Sequence, residues 1–426
     1  MKFNMVENKA IGETLYFGTH ESGLGIFVVP KKNFSKKYAI IGAKIGSVDN
    51  TFIPNGENEQ ITVPDGIAHF LEHKMFEMSD GSDAFAKFSE YGANANAFTS
   101  FTNTCYLFSC TDNFYESFEH LLNYVKSPYF TDANVEKEKG IIGQEIKMYD
   151  DDGEWRVMFN LLRALYKDLP VRIDIAGTVE SISHITPDTL YKCYNTFYDP
   201  SNMILCVAGD VDEEKVLEIT DKIMGDKITG TKARGVYPDE QENVFQKEIE
   251  QKLSVSTPLF DIGFKDSGKY TGDEILKNEI AVKIILSSVA SKSSDLYERL
   301  YNDGLINDEF SYDYMYEEQY ACAIIGGESK EPKKVYGEVI KYLKDKKRID
   351  ADEFDRAKKS IWGSYLRTFN DVEGICSAMV RNVLKGVNWF DFSNIFDSVT
   401  LAFVNEKYEK LFCDEEKQAL SVVYPA

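Results

Sequence analysis

The sequence predicts an α+β protein of two consecutive halves, and three observations support this prediction. Apolar runs typical of strands, at residues 24–30 and 39–45, come before amphipathic helical patterns in the first half. A polar stretch rich in Gly, Pro and charged residues then interrupts the chain, as a linker does. The second half repeats this style, with an apolar strand pattern at 256–264 before long helices. The predicted N-terminal domain, linker and C-terminal domain are residues 1–225, 226–248 and 249–426.

Hydrophobic periodicity places the other main elements. In the first half, apolar residues at helical spacing predict an amphipathic helix over 114–125. The continuous apolar run at 202–209 predicts a buried strand, and a helical pattern follows it from 212 to 224. In the second half, the two longest helical patterns cover 274–289 and 353–368.

Length and composition favour a folded enzyme over a membrane protein or a nucleic-acid-binding protein. Of the 426 residues 43% are apolar, but there is no apolar run of about eighteen residues that would span a membrane. The net charge of −22 repels nucleic acid. Seven cysteines without a C-x-x-C pair, and an N-terminus without a secretory pattern, predict free thiols and a cytoplasmic location.

Part of the acidic excess is concentrated in one short segment. Asp150, Asp151, Asp152 and Glu154 follow closely on a glutamate that is a candidate metal ligand. One interpretation is that they attract basic peptides towards the site. The other is that they are solvated loop charges, which is the more common role of such runs.

The strongest chemical signal is the run HFLEH at residues 69–73, which contains two of the five histidines. On a helix, positions i and i+4 lie on the same face, so His69 and His73 could bind one zinc ion together. Glu72 lies beside them and could accept a proton from a water on that zinc. This is the order H-x-x-E-H, the inverse of the more common H-E-x-x-H.

The surrounding residues favour a helix with an apolar face. Pro64 and Asp65 form a helix start signal, with Asp65 as the expected N-cap. The core-facing positions around the histidines are Ile67, Phe70, Leu71 and Met75. Two solvated helix histidines beside a glutamate are the alternative, but buried histidines with an acid between them are better explained by a metal.

A third protein ligand is expected downstream, in the helical pattern at 134–149. Its two candidate carboxylates, Glu138 and Glu145, are seven residues apart and therefore lie near one face of the helix. Their separation along the helix axis is about 10 Å, so one zinc ion is not expected to bind both directly.

These residues resemble the signature of the M16 (pitrilysin/insulinase) zinc peptidases, which is H-x-x-E-H followed by a glutamate slightly more than seventy residues later. Glu145 lies 72 positions after His73. The resemblance implies one zinc per chain, with His69, His73 and Glu145 as its ligands and Glu72 as general base. It also implies that Glu138 orients the site, the alternative being an exposed helix charge. The similarity covers nearly the whole chain and implies two related α/β-sandwich domains, half of an M16 clamshell.

The segment 92–110 resembles the strand that follows the zinc helix in this family. It is rich in β-branched and aromatic residues that alternate with a period of about two. In the family this strand lies at a sheet edge and pairs with the substrate backbone. Asn96, Ala97 and Phe98 match the contact positions, although an ordinary sheet strand is the alternative. Edge pairing predicts extended or unfolded peptides as substrates.

One part of the family pattern is not matched. Active members have an arginine and a tyrosine seven residues apart in the second half of the paired unit, and these stabilise the transition state. The corresponding stretch here has Tyr301 where the arginine is expected and Asn307 near the tyrosine position with one residue lost, and Arg299 lies on the wrong helical face. Tyr312 and Tyr314 are alternative donors. The departure predicts a heterodimer with a related M16-like chain that supplies both donors, in preference to a homodimer.

The predicted function is that of a zinc metalloendopeptidase. Two other classes remain open. The chain could be a non-catalytic or weakly active peptide-binding subunit of a larger complex, or a metal-dependent hydrolase of small substrates. The complete H-x-x-E-H motif favours the peptidase, since inactive relatives usually lack the zinc residues.

Overall fold

A computed structural model gives the structure of residues 1–225, 233–266 and 269–426. Residues 226–232 of the predicted linker lie outside these described residues. The strands are β1 (Asn4–Asn8), β2 (Glu13–Thr19), β3 (Gly25–Pro30), β4 (Lys37–Ala43), β5 (Thr51–Ile53), β6 (Ile61–Thr62), β7 (Asn94–Thr99), β8 (Thr104–Cys110), β9 (Met203–Gly209), β10 (Arg234–Gly235), β11 (Glu248–Leu253), β12 (Leu259–Asp266), β13 (Ser311–Tyr316), β14 (Ala321–Glu328) and β15 (Gln418–Pro425).

Helices and strands occur largely in separate runs along the chain, as is typical of an α+β fold. The helices are α1 (Ile67–Lys74), α2 (Ala84–Glu90), α3 (Phe114–Val125), α4 (Asp132–Asp150), α5 (Gly153–Leu165), α6 (Val179–Ser183), α7 (Pro187–Phe197), α8 (Glu213–Met224), α9 (Asp273–Ala290), α10 (Asp295–Asn302), α11 (Pro332–Lys346), α12 (Ala351–Thr368), α13 (Val372–Val383), α14 (Phe392–Ser398) and α15 (Leu401–Phe412). The predicted α+β class is confirmed, and the predicted helices over 114–125, 274–289 and 353–368 correspond to α3, α9 and α12.

The first compact unit comprises residues 1–146, 174–237 and 366–391. Its main sheet has the strand order β1-β2-β3-β9-β4-β8-β7, in which β9 pairs parallel with β3 and antiparallel with β4. All seven residues of β9 are buried, which agrees with its continuous apolar sequence. Within the described residues β7 lies at one edge of this sheet, and α1 contacts it.

Helix α13 covers part of this sheet, although it comes from the second half of the chain. It packs against β4 and β9. Gly42 of β4 shows how close the two layers are, since a Cβ there would lie 3.0 Å from Cγ1 of Val380. A side chain larger than hydrogen at position 42 would therefore push α13 away from the sheet.

The second compact unit comprises residues 147–173, 238–365 and 392–426. Its sheet has the order β11-β15-β12-β14-β13, and α5 packs against β11, β12 and β15. The two units are thus interleaved along the chain, because 147–173 joins the second unit and 366–391 joins the first. The division into consecutive domains at 225 and 249 describes chain segments, not these spatial units, and stays a prediction.

A buried ion pair anchors a loop of the second unit. Lys265 of β12 is 1% exposed, and its Nζ donates to Oε1 of Glu240 over 2.9 Å. The same carboxylate accepts backbone N–H groups of Lys167, Asp168 and Leu169, the shortest of these bonds being 2.8 Å. Glu240 therefore satisfies three loop donors and a buried cation at once.

The structure corrects the prediction of a single strand over 92–110. The segment forms a hairpin in which β7 and β8 pair antiparallel from Asn94↔Ser109 to Thr99↔Thr104. The N–H of Ser100 donates to the carbonyl of Asn103 over 2.8 Å and closes the connecting turn. Polar turn formers in this connection (Ser100, Thr102 and Asn103) are the sequence signal for the turn.

Candidate metal centre

Helix α1 begins at a glycine that no other residue could replace without strain. Gly66 is the N-cap, its φ is 88°, and a Cβ there would lie 2.3 Å from the carbonyl oxygen of Ala176. The prediction that Asp65 caps the helix is wrong. Asp65 instead accepts a side-chain hydrogen bond of 2.8 Å from Asn50, and its carbonyl accepts one from Ser181.

The structure brings the three predicted ligands together. Nε2 of His69 lies 3.6 Å from Oε1 of Glu145, and Nε2 of His73 lies 3.5 Å from Oε2 of the same carboxylate. One potential ligand atom from each residue lies within 4.8 Å of the others. One turn of α1 places the two imidazoles side by side, and α4 brings the carboxylate opposite them.

Glu138 lies on the other side of His73. Its Oε1 is 3.1 Å from Nδ1 of His73, and its Oε2 accepts a hydrogen bond of 3.3 Å from Nζ of Lys74. Only 9% of Glu138 is exposed, so the alternative of an exposed helix charge is wrong. Glu138 therefore contacts one candidate ligand without joining the group of three.

Burial and charge set the protonation of the two histidines differently. Burial, together with the neighbouring His73, lowers the pKa of His69 to about 3, so this imidazole is neutral. Burial also lowers the pKa of His73, but the hydrogen bond with Glu138 and the carboxylates of Glu72 and Glu145 outweigh it and raise the pKa overall. A metal ion that binds His73 must therefore displace this proton, so metal binding weakens as the pH falls.

The donor set fits a zinc ion. Two imidazole nitrogens and one carboxylate are a common protein ligand set for catalytic zinc, which keeps a fourth position open. Nδ1 of His69 is buried and has no hydrogen-bond partner among the described residues. When Nδ1 of His73 donates its proton to Glu138, the lone pair of Nε2 is directed towards Glu145, as metal binding requires.

Glu72 lies on the same helix and is 7% exposed. Burial raises the pKa of its carboxyl, while a hydrogen bond from Thr99 opposes the increase. That bond joins Oγ1 of Thr99 to Oε2 of Glu72 over 2.7 Å. A carboxylate with a raised pKa, next to a group of metal ligands, is suited to accept a proton from a bound water.

The three predicted substrate-contact residues lie in the edge strand β7, as expected. Ladder bonds of an antiparallel pair alternate, and Ser100 donates to Asn103, so Ala97 directs its N–H and C=O away from β8. Asn96 and Phe98 use their backbone groups towards β8. The Ala97 N–H already donates to Oδ1 of Asn96 over 2.9 Å, while the Phe98 ring is 41% exposed.

The residues at the donor positions lie in the second unit. Tyr301 is 46% exposed and stacks on Tyr297, and Nδ2 of Asn307 donates to Glu328 over 2.7 Å. Arg299 forms a 3.2 Å ion pair with Glu338.

The two tyrosines considered as substitutes differ in accessibility. Tyr314 is 3% exposed and its hydroxyl donates to Asp266 over 2.8 Å, so it cannot serve as a replacement donor for a substrate. Tyr312 is half-buried in β13 and stays a candidate.

The acidic segment after α4 has local structural roles. Oδ1 of Asp152 accepts the N–H groups of Glu154 and Trp155 and so caps α5. Asp150 lies 3.5 Å from the guanidinium of Arg156. Asp150 and Asp152 therefore stabilise the start of α5, and attraction of basic peptides stays a prediction.

Two residues of the site were not found from the sequence. Thr99 carries no signal of its own, because a threonine at the end of a strand is common. Lys74 directly follows the second histidine, but its burial depends on tertiary contacts.

Among the described helices, none combines the length and the apolar composition that crossing a membrane requires.

Two imidazoles and a carboxylate brought together in an α+β fold are a ligand set that metal-dependent hydrolases use. Residues 53–179 match the family model described as Insulinase (Peptidase family M16), and residues 184–361 match the one described as Peptidase M16 inactive domain. A Bacillus subtilis protein named as the uncharacterized zinc protease YmfH is 43% identical over 422 residues, which is 98% of each chain. The chain therefore belongs to the M16 peptidase family.

Solved structures agree with this assignment. The crystal structure of an M16-like peptidase from Alicyclobacillus acidocaldarius has a TM-score of 0.94 and 32% identity over 99% of this chain and 100% of its own. Pitrilysin has the same fold, with a TM-score of 0.79 and 15% identity, over 100% of this chain but only 47% of its own. The chain thus corresponds to about half of a pitrilysin-type molecule, as the sequence predicted.

Proposed function

We propose that the protein is a zinc metalloendopeptidase that hydrolyses extended or unfolded peptides. The observation that carries this proposal is the convergence of His69, His73 and Glu145, with the carboxylate of Glu72 beside them. Membership of the M16 family and the zinc protease name of its relative support the same reaction class.

His69 and His73 would hold one zinc ion through Nε2, and Glu145 through a carboxylate oxygen. Bound zinc supplies a Lewis acid that polarises the scissile carbonyl and lowers the pKa of water. Glu72 accepts the proton of the attacking water at Oε1 or Oε2 and returns it to the leaving amine. The hydroxyl of Thr99 keeps the Glu72 carboxylate oriented during this transfer.

The edge strand β7 supports extended peptides as substrates. A peptide added antiparallel or parallel to β7 would pair with the outward C=O of Ala97 and, by displacing Oδ1 of Asn96, with its N–H. Main-chain bonds of this kind do not depend on sequence. Asn96 and Phe98 would contact it through their side chains. Folded proteins are excluded because their backbone groups are already paired.

A related partner chain would complete the active form. Tyr301 and Asn307 occupy the positions of two transition-state donors, and Tyr314 is bonded to Asp266. Losing one such donor costs about 10²–10³ in rate, so a homodimer would be a weak enzyme. The correspondence to 47% of pitrilysin also supports a second chain of similar length. We therefore favour a heterodimer in which the partner supplies an arginine and a tyrosine.

The replacement of the family's arginine and tyrosine by Tyr301 and Asn307 also supports a second candidate function. Without the two donors the chain would be a non-catalytic or weakly active peptide-binding subunit of a larger M16-type complex. We assign either form to the cytoplasm, because the cysteines, Cys413 excepted, are buried and all seven are free thiols.

Metal analysis combined with cleavage of an unstructured peptide tests these functions. The peptidase binds one zinc per chain and cleaves, whereas Glu72→Gln keeps the zinc and loses at least about a hundredfold in rate. Glu136→Gln, an exposed change on α4, serves as the matched control. Zinc and peptide binding without cleavage, even with a paralogue added, would favour the binding subunit. Turnover of small amides but not of peptides would favour a hydrolase of small substrates.

A further inference from the structure

Lys74 is a lysine in the interior of the first unit, directly after a candidate zinc ligand. It is the last residue of α1, and 1% of its side chain is exposed. Its Nζ lies 2.6 Å from Oε2 of Glu77 and 3.3 Å from Oε2 of Glu138. Lysine is almost never buried this completely unless it is paired, because an isolated ammonium loses its hydration.

The pairing continues from Lys74 to the metal ligands. Glu138 uses its two oxygens differently, since Oε2 accepts from Lys74 while Oε1 lies 3.1 Å from Nδ1 of His73. On the far side of that imidazole, Nε2 faces Glu145 at 3.5 Å. An ammonium, a carboxylate and an imidazole therefore form a continuous hydrogen-bonded row that ends at the ligand atom.

We propose that Lys74 is a positioning residue of the metal centre. Its ammonium fixes the Glu138 carboxylate, and the carboxylate in turn holds the His73 ring with Nε2 towards Glu145. The proposal rests on the proposed function, in which these residues bind zinc. Outer partners of this kind orient ligands and are commonly worth about 10- to 100-fold in metal affinity.

Geometry explains why the ammonium matters to a ring it does not touch. A carboxylate held at one oxygen only can rotate about its last carbon–carbon bond, whereas one held at both oxygens has a single orientation. Removing Lys74 leaves Glu138 without its bond at Oε2, so the partner of His73 Nδ1 is no longer fixed. The imidazole then turns among several orientations, and fewer of them direct Nε2 towards a shared cation.

The competing explanation is that Lys74 serves only the stability of α1 through Glu77. Three single variants separate the two roles. Lys74→Met keeps most of the side-chain length without the charge, Glu138→Gln alters the connecting carboxylate, and Glu77→Gln alters only the other partner. Where Lys74→Met does not give a folded chain, Lys74→Gln takes its place in the same comparison.

Zinc affinity, measured by competition with a chromophoric chelator, is the first readout. We expect Lys74→Met and Glu138→Gln each to weaken zinc binding about 10- to 100-fold, and Glu77→Gln less than about threefold. The double variant Lys74→Met/Glu138→Gln should bind zinc as tightly as the single variant with the lower affinity. Both changes interrupt the same hydrogen-bonded row from Lys74 through Glu138 to His73, so their effects should not add. Fully additive losses would overturn the proposal, since Lys74 would then act without Glu138.

The cobalt(II)-substituted protein provides a readout that a stabilising role would not change. Zinc is spectroscopically silent, but the visible bands of cobalt(II) depend on ligand geometry. We expect Lys74→Met and Glu138→Gln to shift these bands in the same direction and Glu77→Gln to leave them unchanged. If the wild-type chain binds zinc and Lys74→Met has the same zinc affinity and the same cobalt spectrum, Lys74 is not a positioning residue. The proposed function would not be affected by that result. A wild-type chain that binds no zinc would overturn the proposed function itself.

Discussion

The hydroxyl of Thr99 and the carboxylate of Glu72 are joined by a hydrogen bond of 2.7 Å, which links the edge strand β7 to the helix α1. The same strand carries the backbone groups expected to pair with a peptide, and the same helix carries the histidines. One bond thus sets the position of the proton acceptor relative to the strand on which the substrate would lie.

We expect Thr99→Val to lower kcat for an unstructured peptide about tenfold, with a smaller change in KM. Valine has nearly the same shape but lacks the hydroxyl, and a hydrogen bond to a charged group is worth about 1.5–3 kcal/mol. Thr99→Ser restores the donor and should recover most of the rate. Steady-state kinetics of the three proteins, with equal zinc content and with the related partner chain added in excess, make the comparison. Equal kcat for the valine and serine variants would show that the hydroxyl has no part in positioning Glu72.

The glycine at the start of α1 gives a prediction about metal retention. Gly66→Ala places a Cβ 2.3 Å from the carbonyl oxygen of Ala176, so the helix start must move. We expect a loss of about 3 kcal/mol in stability together with weaker zinc binding.

Gly92→Ala is the matched control for this change. Gly92 also has a positive φ, 73°, but no atom lies within 4 Å of its Cβ position. Only backbone strain of about 1–2 kcal/mol should follow, with zinc affinity unchanged. Thermal unfolding and chelator competition measure both effects. Similar zinc affinity in the two variants would contradict the argument that the position of α1 depends on Gly66.

A partner requirement is tested by adding a related chain from the same organism to the purified protein. We expect the chain alone to be nearly inactive and to gain at least about a hundredfold in rate with the partner, because the partner supplies transition-state donors. An arginine-to-alanine variant of the partner, at the position that aligns with Tyr301, should abolish the gain. Full peptidase activity of the chain alone, unaffected by any paralogue, would argue against the heterodimer.

The pH dependence of stability can be predicted for Glu240. Burial raises the pKa of its carboxyl, but the Lys265 ammonium and three backbone N–H groups outweigh this and hold the pKa below its usual range. Since the folded pKa is the lower one, the stabilisation is complete above the usual carboxyl pKa of about 4.3 and is lost as the pH falls through the folded value.

Glu240→Gln removes this contribution and leaves Lys265 buried without a charged partner. We expect a loss of about 3 kcal/mol at pH 7 and a smaller loss at a pH below the lowered folded pKa, where the wild-type carboxylate is itself protonated. The exposed change Glu242→Gln is the control and should have little effect at either pH. Urea denaturation at both pH values measures the difference. An equal loss at pH 7 and at a pH below the folded pKa of Glu240 would contradict the assigned ion pair.

The sequence was sufficient for those parts of the site that depend on local geometry. Because one helical turn separates His69 from His73, their shared face follows from the motif alone. The position of Glu145 came from the family resemblance, since no local pattern relates His73 to a residue 72 positions later. The strands β3, β4 and β9 were found because buried strands have continuous apolar sequences.

Other features depend on tertiary contacts that no local pattern contains. The start of α1 was assigned to Asp65 because aspartate is a common cap, but the close approach of Ala176 selects Gly66. The burial of Lys74 follows from its contacts with Glu77, just beyond the end of α1, and with Glu138 on α4. The return of residues 366–391 to the first unit has no local sequence signal either.

Helix α13 comes from the second half of the chain but belongs to the first unit, where it covers β4 and β9. A protein shortened to its first 248 residues would lack the layer that covers β4 and β9, and apolar residues such as Ile40 and Cys206, both 0% exposed, would meet water. Such a fragment should aggregate rather than serve as a free-standing module. Residues 1–248 contain every proposed zinc ligand, yet they could not be expressed or exchanged as a module separate from residues 366–391.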